Sequence, residues 1–188
     1  MSQRDDLLQG AIRCIAEKGY SRTTARDIAA ASGANLASIG YHFGSKEALL
    51  NAAIIEAFEE WGNAVESAMV GVEDAPPMQR LESFLVRFAE TLPARSAWVV
   101  SSLQAFAEAE YAPEVKQQLG DSMEEGRRSL AAMVLGVAPE DVGDEDLPVG
   151  ALALALMNGY VLQWFVSPGQ VPPAADMAAA ILRVVRQG

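Results

Sequence analysis

The chain has 188 residues and a mass of 20.0 kDa, with 51% apolar and 21% charged residues. That is enough for one or two small domains with a real core, and it excludes both a large enzyme and a disordered polymer. One cysteine and one histidine rule out an internal disulfide and a His/Cys zinc site. The net charge of −11 hides an asymmetry: residues 1–50 carry six Lys/Arg against five Asp/Glu, and residues 51–188 carry eight against twenty. A division of labour between two parts of the chain follows from that imbalance. The polar start, Met-Ser-Gln-Arg-Asp-Asp, shows no secretory h-region, so a cytoplasmic protein is expected.

Helix-period patterns run from end to end, strand alternation is nearly absent, and 33 alanines favour helix. A first helix is expected from about Asp5 to Lys18, with Leu7, Leu8, Ala11, Ile12 and Ile15 at helical spacing and Gly19 as the stop. A second runs from Ala25 to Ala31, capped by Thr24 with Asp27 three residues on. Gly33 sits in the turn, free to adopt positive φ, and Asn35 caps a short third helix from Leu36 to about Phe43. Ser45 caps a long fourth helix that reaches about Met69. Further helices are predicted near 78–92, 95–109, 113–135, 147–166 and 174–186, separated by proline-marked or acidic breaks. The expected fold is all-α with about nine helices: an N-terminal three-helix helix-turn-helix domain over 1–46 and a ligand-binding and dimerisation domain over 47–188.

Residues 24–43 fit a helix-turn-helix, in which two short helices meet steeply across a three- or four-residue turn. Ala29 and Gly33 supply the small residue at the approach and the permissive one in the turn. Ile28, Ala34 and Ile39 supply the contacts that lock the pair. The second helix of the motif then presents Asn35, Leu36, Ala37, Ser38, Gly40, Tyr41 and His42 outward, and its small side chains allow close approach to base edges.

The run from Thr23 to Leu50 resembles the DNA-binding segment of the TetR family of bacterial transcriptional regulators. The matching residues are Thr23-Thr24, Ile28-Ala29, Gly33, Tyr41-His42-Phe43 and Ser45-Lys46-Glu47, with Ala11 and Glu17-Lys18-Gly19-Tyr20 extending the likeness. Two positions depart from the pattern. Gly40 stands where a large residue is usual, and Ala48 where an acidic one often follows Lys-Glu. The resemblance implies a repressor that binds a palindromic double-stranded DNA operator as a homodimer and is released by a small molecule. It assigns Tyr41 and Lys46 to phosphate contact, which suits a phenol donor and an ammonium at a helix start. Thr24, Arg26 and His42 are further candidates for phosphate or groove contact, and Asn35 and Ser38 for base preference.

The second part holds Trp61, Phe84, Phe88, Trp98, Phe106, Met133 and Asn158, the candidate lining of a pocket for an apolar or amphipathic effector, although a core uses the same residue types. From Leu147 to Val166 there are twenty residues without a charge, a length that could span a bilayer. Burial in the chain's own core or in a subunit interface is the favoured reading. Pairing through 147–166 and 174–186 follows from the resemblance, with Gly150, Ala151, Ala153, Ala155 and Gly159 allowing close approach and Ile181, Leu182, Val184 and Val185 completing the surface. A helical interaction protein or a membrane-associated protein using 147–166 is the alternative. No catalytic motif, metal site or cofactor motif is present in the sequence, so no enzyme activity and no cofactor are expected.

Overall fold

The computed structural model describes residues 2–67, 71–72 and 74–186. Among them are nine α-helices and no strand: α1 (Gln3–Lys18), α2 (Ala25–Ser32), α3 (Ala37–Phe43), α4 (Lys46–Ser67), α5 (Pro77–Thr91), α6 (Ser96–Glu108), α7 (Pro113–Leu135), α8 (Leu147–Val166) and α9 (Ala174–Arg186). The predicted end of the fourth helix near Met69 lies outside the described residues, as does the side chain of Val185. Short 3₁₀ turns, Leu92–Arg95 and Pro139–Asp141, occupy two of the breaks.

The helix ends follow their local chemistry. Ser2 and Asp5 form a reciprocal capping box on α1, and Thr24 and Asp27 form another on α2. Gly33 closes α2 in the left-handed region at φ 70°, which only glycine adopts without strain. α3 begins one residue later than expected, at Ala37 rather than Leu36. Asn35 nevertheless caps it, its Oδ1 accepting the Ala37 N–H at 3.0 Å. Ser45 caps α4 through the Ala48 N–H.

Packing divides the chain into two compact units. The first comprises 1–61 and 95–122; the second comprises 62–94 and 123–188. In the first, Leu7, Ala11 and Ile15 of α1 meet Ile28, Ile39, Leu49, Leu50 and Ala53, with Ala105 of α6 and, at its edge, Trp98. The closest approach to α2 comes from Gly10 of α1, where a Cβ would stand 2.9 Å from Ser32 Cβ and 3.2 Å from the Ile28 carbonyl. The sequence reading placed Ala29 at the approach of the second and third helices and made no assignment for the first against the second, where Gly10 stands.

In the second unit α5 packs on α9 and touches α8. Leu81, Phe84, Leu85 and Phe88 form the buried face of α5. Arg80 anchors the start of that helix by donating to the carbonyls of Met133 (2.6 Å) and Val72 (3.0 Å). Gly150 brings α8 against α7 so closely that a Cβ there would lie 1.8 Å from the Arg127 carbonyl oxygen. Of α8, only Gly150, Ala153 and Val161 are buried, while Leu152, Leu162, Phe165 and Val166 are exposed. Burial of this helix in the chain's own core, one of the two expected placements, is therefore corrected: an apolar helix wrapped by its own unit would show no such face.

Candidate nucleic-acid interface

The platform that carries α3 is tied together by polar contacts at its rim. Lys18 of α1 pairs with Asp27 of α2 at 2.5 Å, and Arg13 donates to the Ala31 carbonyl at 2.6 Å. The Asp27 carboxyl is held well below the usual carboxylate range by the Lys18 ammonium, then by the Thr24 hydroxyl and N–H. The bond to Asp27 in turn raises Lys18. Arg22 donates to the Lys18 carbonyl at 2.7 Å. Beneath this rim, Tyr20 is buried with its hydroxyl unpartnered among the described residues; burial first, and then the Glu108 and Glu47 charges, push the phenol up to about 12. Cys14 lies in the same core, and burial raises its thiol, as befits a packing residue.

α4 is held to the start of α7 by two polar contacts within the first unit. Ser45 Oγ donates to Glu114 Oε1 at 3.1 Å, and Asn51 Nδ2 donates to Gln118 Oε1 at 3.0 Å. Asn51 is fully buried and its Oδ1 has no partner among the described residues. Neither contact was legible in the sequence, because residues 67 or more positions apart carry no mutual pattern.

The proposed DNA-contact residues fall into three groups. Leu36, Ala37, Gly40 and Tyr41 are exposed, Tyr41 at 86%. Arg26 on α2 is exposed as well. Ser38 and His42 are only half-buried rather than outward; the His42 ring stands edge-on to Tyr41 at 4.9 Å, with Nε2 3.4 Å from Gln3 Oε1. The third group is committed inside the chain. The Thr24 hydroxyl donates to Asp27 Oδ2 at 2.7 Å, the Asn35 carbonyl oxygen is the cap of α3, and Lys46 Nζ lies 3.1 Å from Glu47 Oε1. Phe43 packs on the core under the Arg4 guanidinium, 5.1 Å from its ring centre.

The proposed effector-contact residues do not converge within either unit. Trp61, Trp98 and Phe106 belong to the first, and Phe84, Phe88, Met133 and Asn158 to the second. Trp61 is buried beside Phe58, with the Arg95 guanidinium 5.8 Å from its ring centre. Phe84, Phe88 and Met133 are buried too, and the two phenylalanines stack at 6.1 Å. Asn158 is half-buried and Phe106 is exposed. A cavity in the second unit is lined by Leu85, Leu156, Tyr160, Ala174, Met177 and Ile181, none of them in the expected set. At about 10 Å³ it is far smaller than the ~300–1,000 Å³ of a typical ligand site.

Comparison with known proteins places these features. Residues 7–53 match the family model of bacterial regulatory proteins of the tetR family, and residues 77–187 match that of the C-terminal part of BetI-type transcriptional repressors. The HTH-type transcriptional repressor KstR2 of Mycobacterium tuberculosis is 33% identical over 99 residues, 53% of this chain and 48% of that protein. The repressor AcnR of Corynebacterium glutamicum is 44% identical over 48 residues, 26% of each. The chain thus spans about half or less of the length of the curated relatives it matches. Among solved structures, a TetR transcription regulator from Haloarcula marismortui superposes with a TM-score of 0.64 at 20% identity, over 94% of this chain and 92% of that one. The multidrug binding protein EbrR, solved with proflavin, does so with a TM-score of 0.64 at 20% identity, over 97% and 98%. At that identity the likeness shows the fold.

Proposed function

Because the chain belongs to the tetR family of bacterial regulatory proteins, and is thereby a DNA-binding transcriptional regulator, we propose that it is a repressor. It binds a pseudo-palindromic operator as a homodimer and is released by a small apolar or amphipathic molecule. The division into a DNA-binding part over 1–46 and an effector and dimerisation part over 47–188 belongs to this reading. The observation that carries it is the doubly capped α2–turn–α3 unit with an uncharged, outward face on α3, flanked by the cations Arg26 and Lys46. Cations around a groove-entering helix neutralise phosphates while the helix meets the bases.

The exposed apolar face of α8, together with the exposed Leu182 and Val184 on α9, supports pairing of two copies. A monomer seldom leaves a large apolar face open. The alternative reading of α8, a membrane segment, rests on its length and apolarity alone. EbrR was solved with proflavin, which supports an effector for this chain, with Trp98 and Phe106 of α6 as its first candidate contacts. α4 contributes residues to both units. A helix shared in this way can act as the lever through which effector binding changes the spacing of two recognition helices, which must match successive major grooves.

The test is binding to duplexes selected from a random pool, titrated with salt. Wild-type affinity is expected to fall steeply as salt rises. Lys46→Ala should weaken all sequences alike and flatten the slope of log K against log salt by about one unit. A loss confined to some sequences contradicts the phosphate assignment, and binding indifferent to salt contradicts the DNA-binding reading.

A further inference from the structure

The chemistry of α3's exposed face narrows what it can read. In helical projection Leu36, Gly40, Ala37 and Tyr41 fall on one continuous arc, all exposed, while Ile39 on the far side is buried. No residue of α3 is an Arg or Lys, the side chains that grip guanine through O6 and N7. Asn35 stands just before α3, and a bidentate grip on adenine needs its carbonyl oxygen and its amino group together. That oxygen already accepts the Ala37 N–H at 3.0 Å. The bond fixes the orientation of the amide, so a grip on adenine has to use the oxygen's second lone pair in the orientation the cap sets.

What remains outward is methyl and methylene. Leu36 is 46% exposed and takes no part in the core, and Ala37 presents a bare Cβ. Between them Gly40 has helical geometry, and among the described residues nothing lies within 4 Å of where its Cβ would be. Its missing side chain thus meets no packing demand and no strained turn there, yet glycine weakens a helix relative to alanine. The feature it does produce is a flat spot in the middle of the exposed arc, where another surface can come close.

We propose that α3 reads its half-site chiefly through apolar contact of Leu36 and Ala37 with thymine 5-methyl groups in the major groove, seated closely because Gly40 has no side chain. Thymine is the base that offers a methyl there, and small apolar side chains are its complement. The inference rests on the DNA-binding reading above. It also moves base preference from Asn35 and Ser38, where the sequence placed it, to Leu36 and Ala37.

The experiment takes the full chain and a duplex selected from a random pool, then replaces each thymine of the half-site by deoxyuridine, which removes the methyl and keeps the pairing. At one or two positions the wild type should lose about fourfold in affinity per methyl, the worth of one buried carbon. In Leu36→Ala, whose melting temperature should stay close to wild type because the side chain is half in solvent, the penalty at one of those positions should vanish. An unchanged penalty in Leu36→Ala, or the absence of any penalty, overturns the inference while leaving DNA binding intact. Strong sensitivity to 7-deazaguanine with none to deoxyuridine does the same. Failure to enrich any duplex overturns the DNA-binding reading and this inference with it.

Discussion

α8 and α3 both expose apolar side chains, and they differ in scale and setting. α8 offers Leu152, Leu162, Phe165 and Val166 along twenty uncharged residues, and Leu182 and Val184 of α9 are exposed as well. The seven-residue α3 offers only Ala37, Gly40 and Tyr41, with Leu36 just before it and Arg26 and Lys46 on the helices that precede and follow it. Large branched and aromatic side chains without charge gain from meeting their own kind and so favour a second copy. Small side chains gain little from another apolar surface, but they allow close contact with a grooved polyanion. Exposure alone therefore does not identify a partner; side-chain size and neighbouring charge separate the two surfaces.

The strongest way to break this contrast is to place a charge on the larger face. Ala155 lies exposed on α8, so Ala155→Asp should leave the subunit folded while burying an unpaired carboxylate in any interface. The wild type should sediment as a dimer at micromolar concentration without detergent, and the variant as a monomer, with dimer affinity reduced at least ~100-fold. A wild-type monomer would remove the pairing role of α8. Aggregates that only detergent rescues would favour the membrane reading.

A pair of glycines sharpens the comparison from the inner side. Gly150 sits where a Cβ would meet the Arg127 carbonyl oxygen at 1.8 Å, whereas the Gly40 Cβ would meet nothing. Gly150→Ala should therefore force α7 and α8 apart and cost about 1–3 kcal/mol or more in thermal or denaturant melts. Gly40→Ala should raise stability by about 0.5–1 kcal/mol while weakening the selected duplex. Opposite signs in stability and affinity at one position are the mark of a residue kept small for a partner; a loss of both would show that Gly40 serves the fold.

The smallest expected effect concerns pH. Asp27, in the first turn of α2, is held below its ordinary value of 3.8 by Lys18 and Thr24. A carboxylate whose value is lowered on folding stabilises fully above that ordinary value, and its contribution disappears as pH falls through the lowered one. Melts of wild type and Asp27→Asn should differ most near neutrality and converge as the pH drops below about 4. Because the pair is exposed, the effect should be modest and shrink with salt. A difference that persists unchanged in acid would assign Asp27 a role in capping through geometry rather than charge.

Much of this architecture was legible before any coordinates. The capping pair Thr24–Asp27, the caps Asn35 and Ser45, the Gly33 turn and the limits of α8 and α9 were expected from local chemistry and observed. Such features are decided within about one helical turn, by side-chain oxygens meeting orphan N–H groups and by glycine's freedom at positive φ. The charge asymmetry and the motif over 23–50 likewise marked the recognition region without knowledge of packing.

The tertiary structure decided the rest. It set Gly10 at the close approach of α1 and α2, left most of α8 exposed, joined Asn51 to Gln118, and buried Trp61, Phe84, Phe88 and Met133, whose residue types suit a core and a pocket alike. The physical reason is common to these cases. An apolar or amide side chain has the same sequence signature whether it meets a core, a ligand or a partner, and only the arrival of distant segments determines which surface it meets.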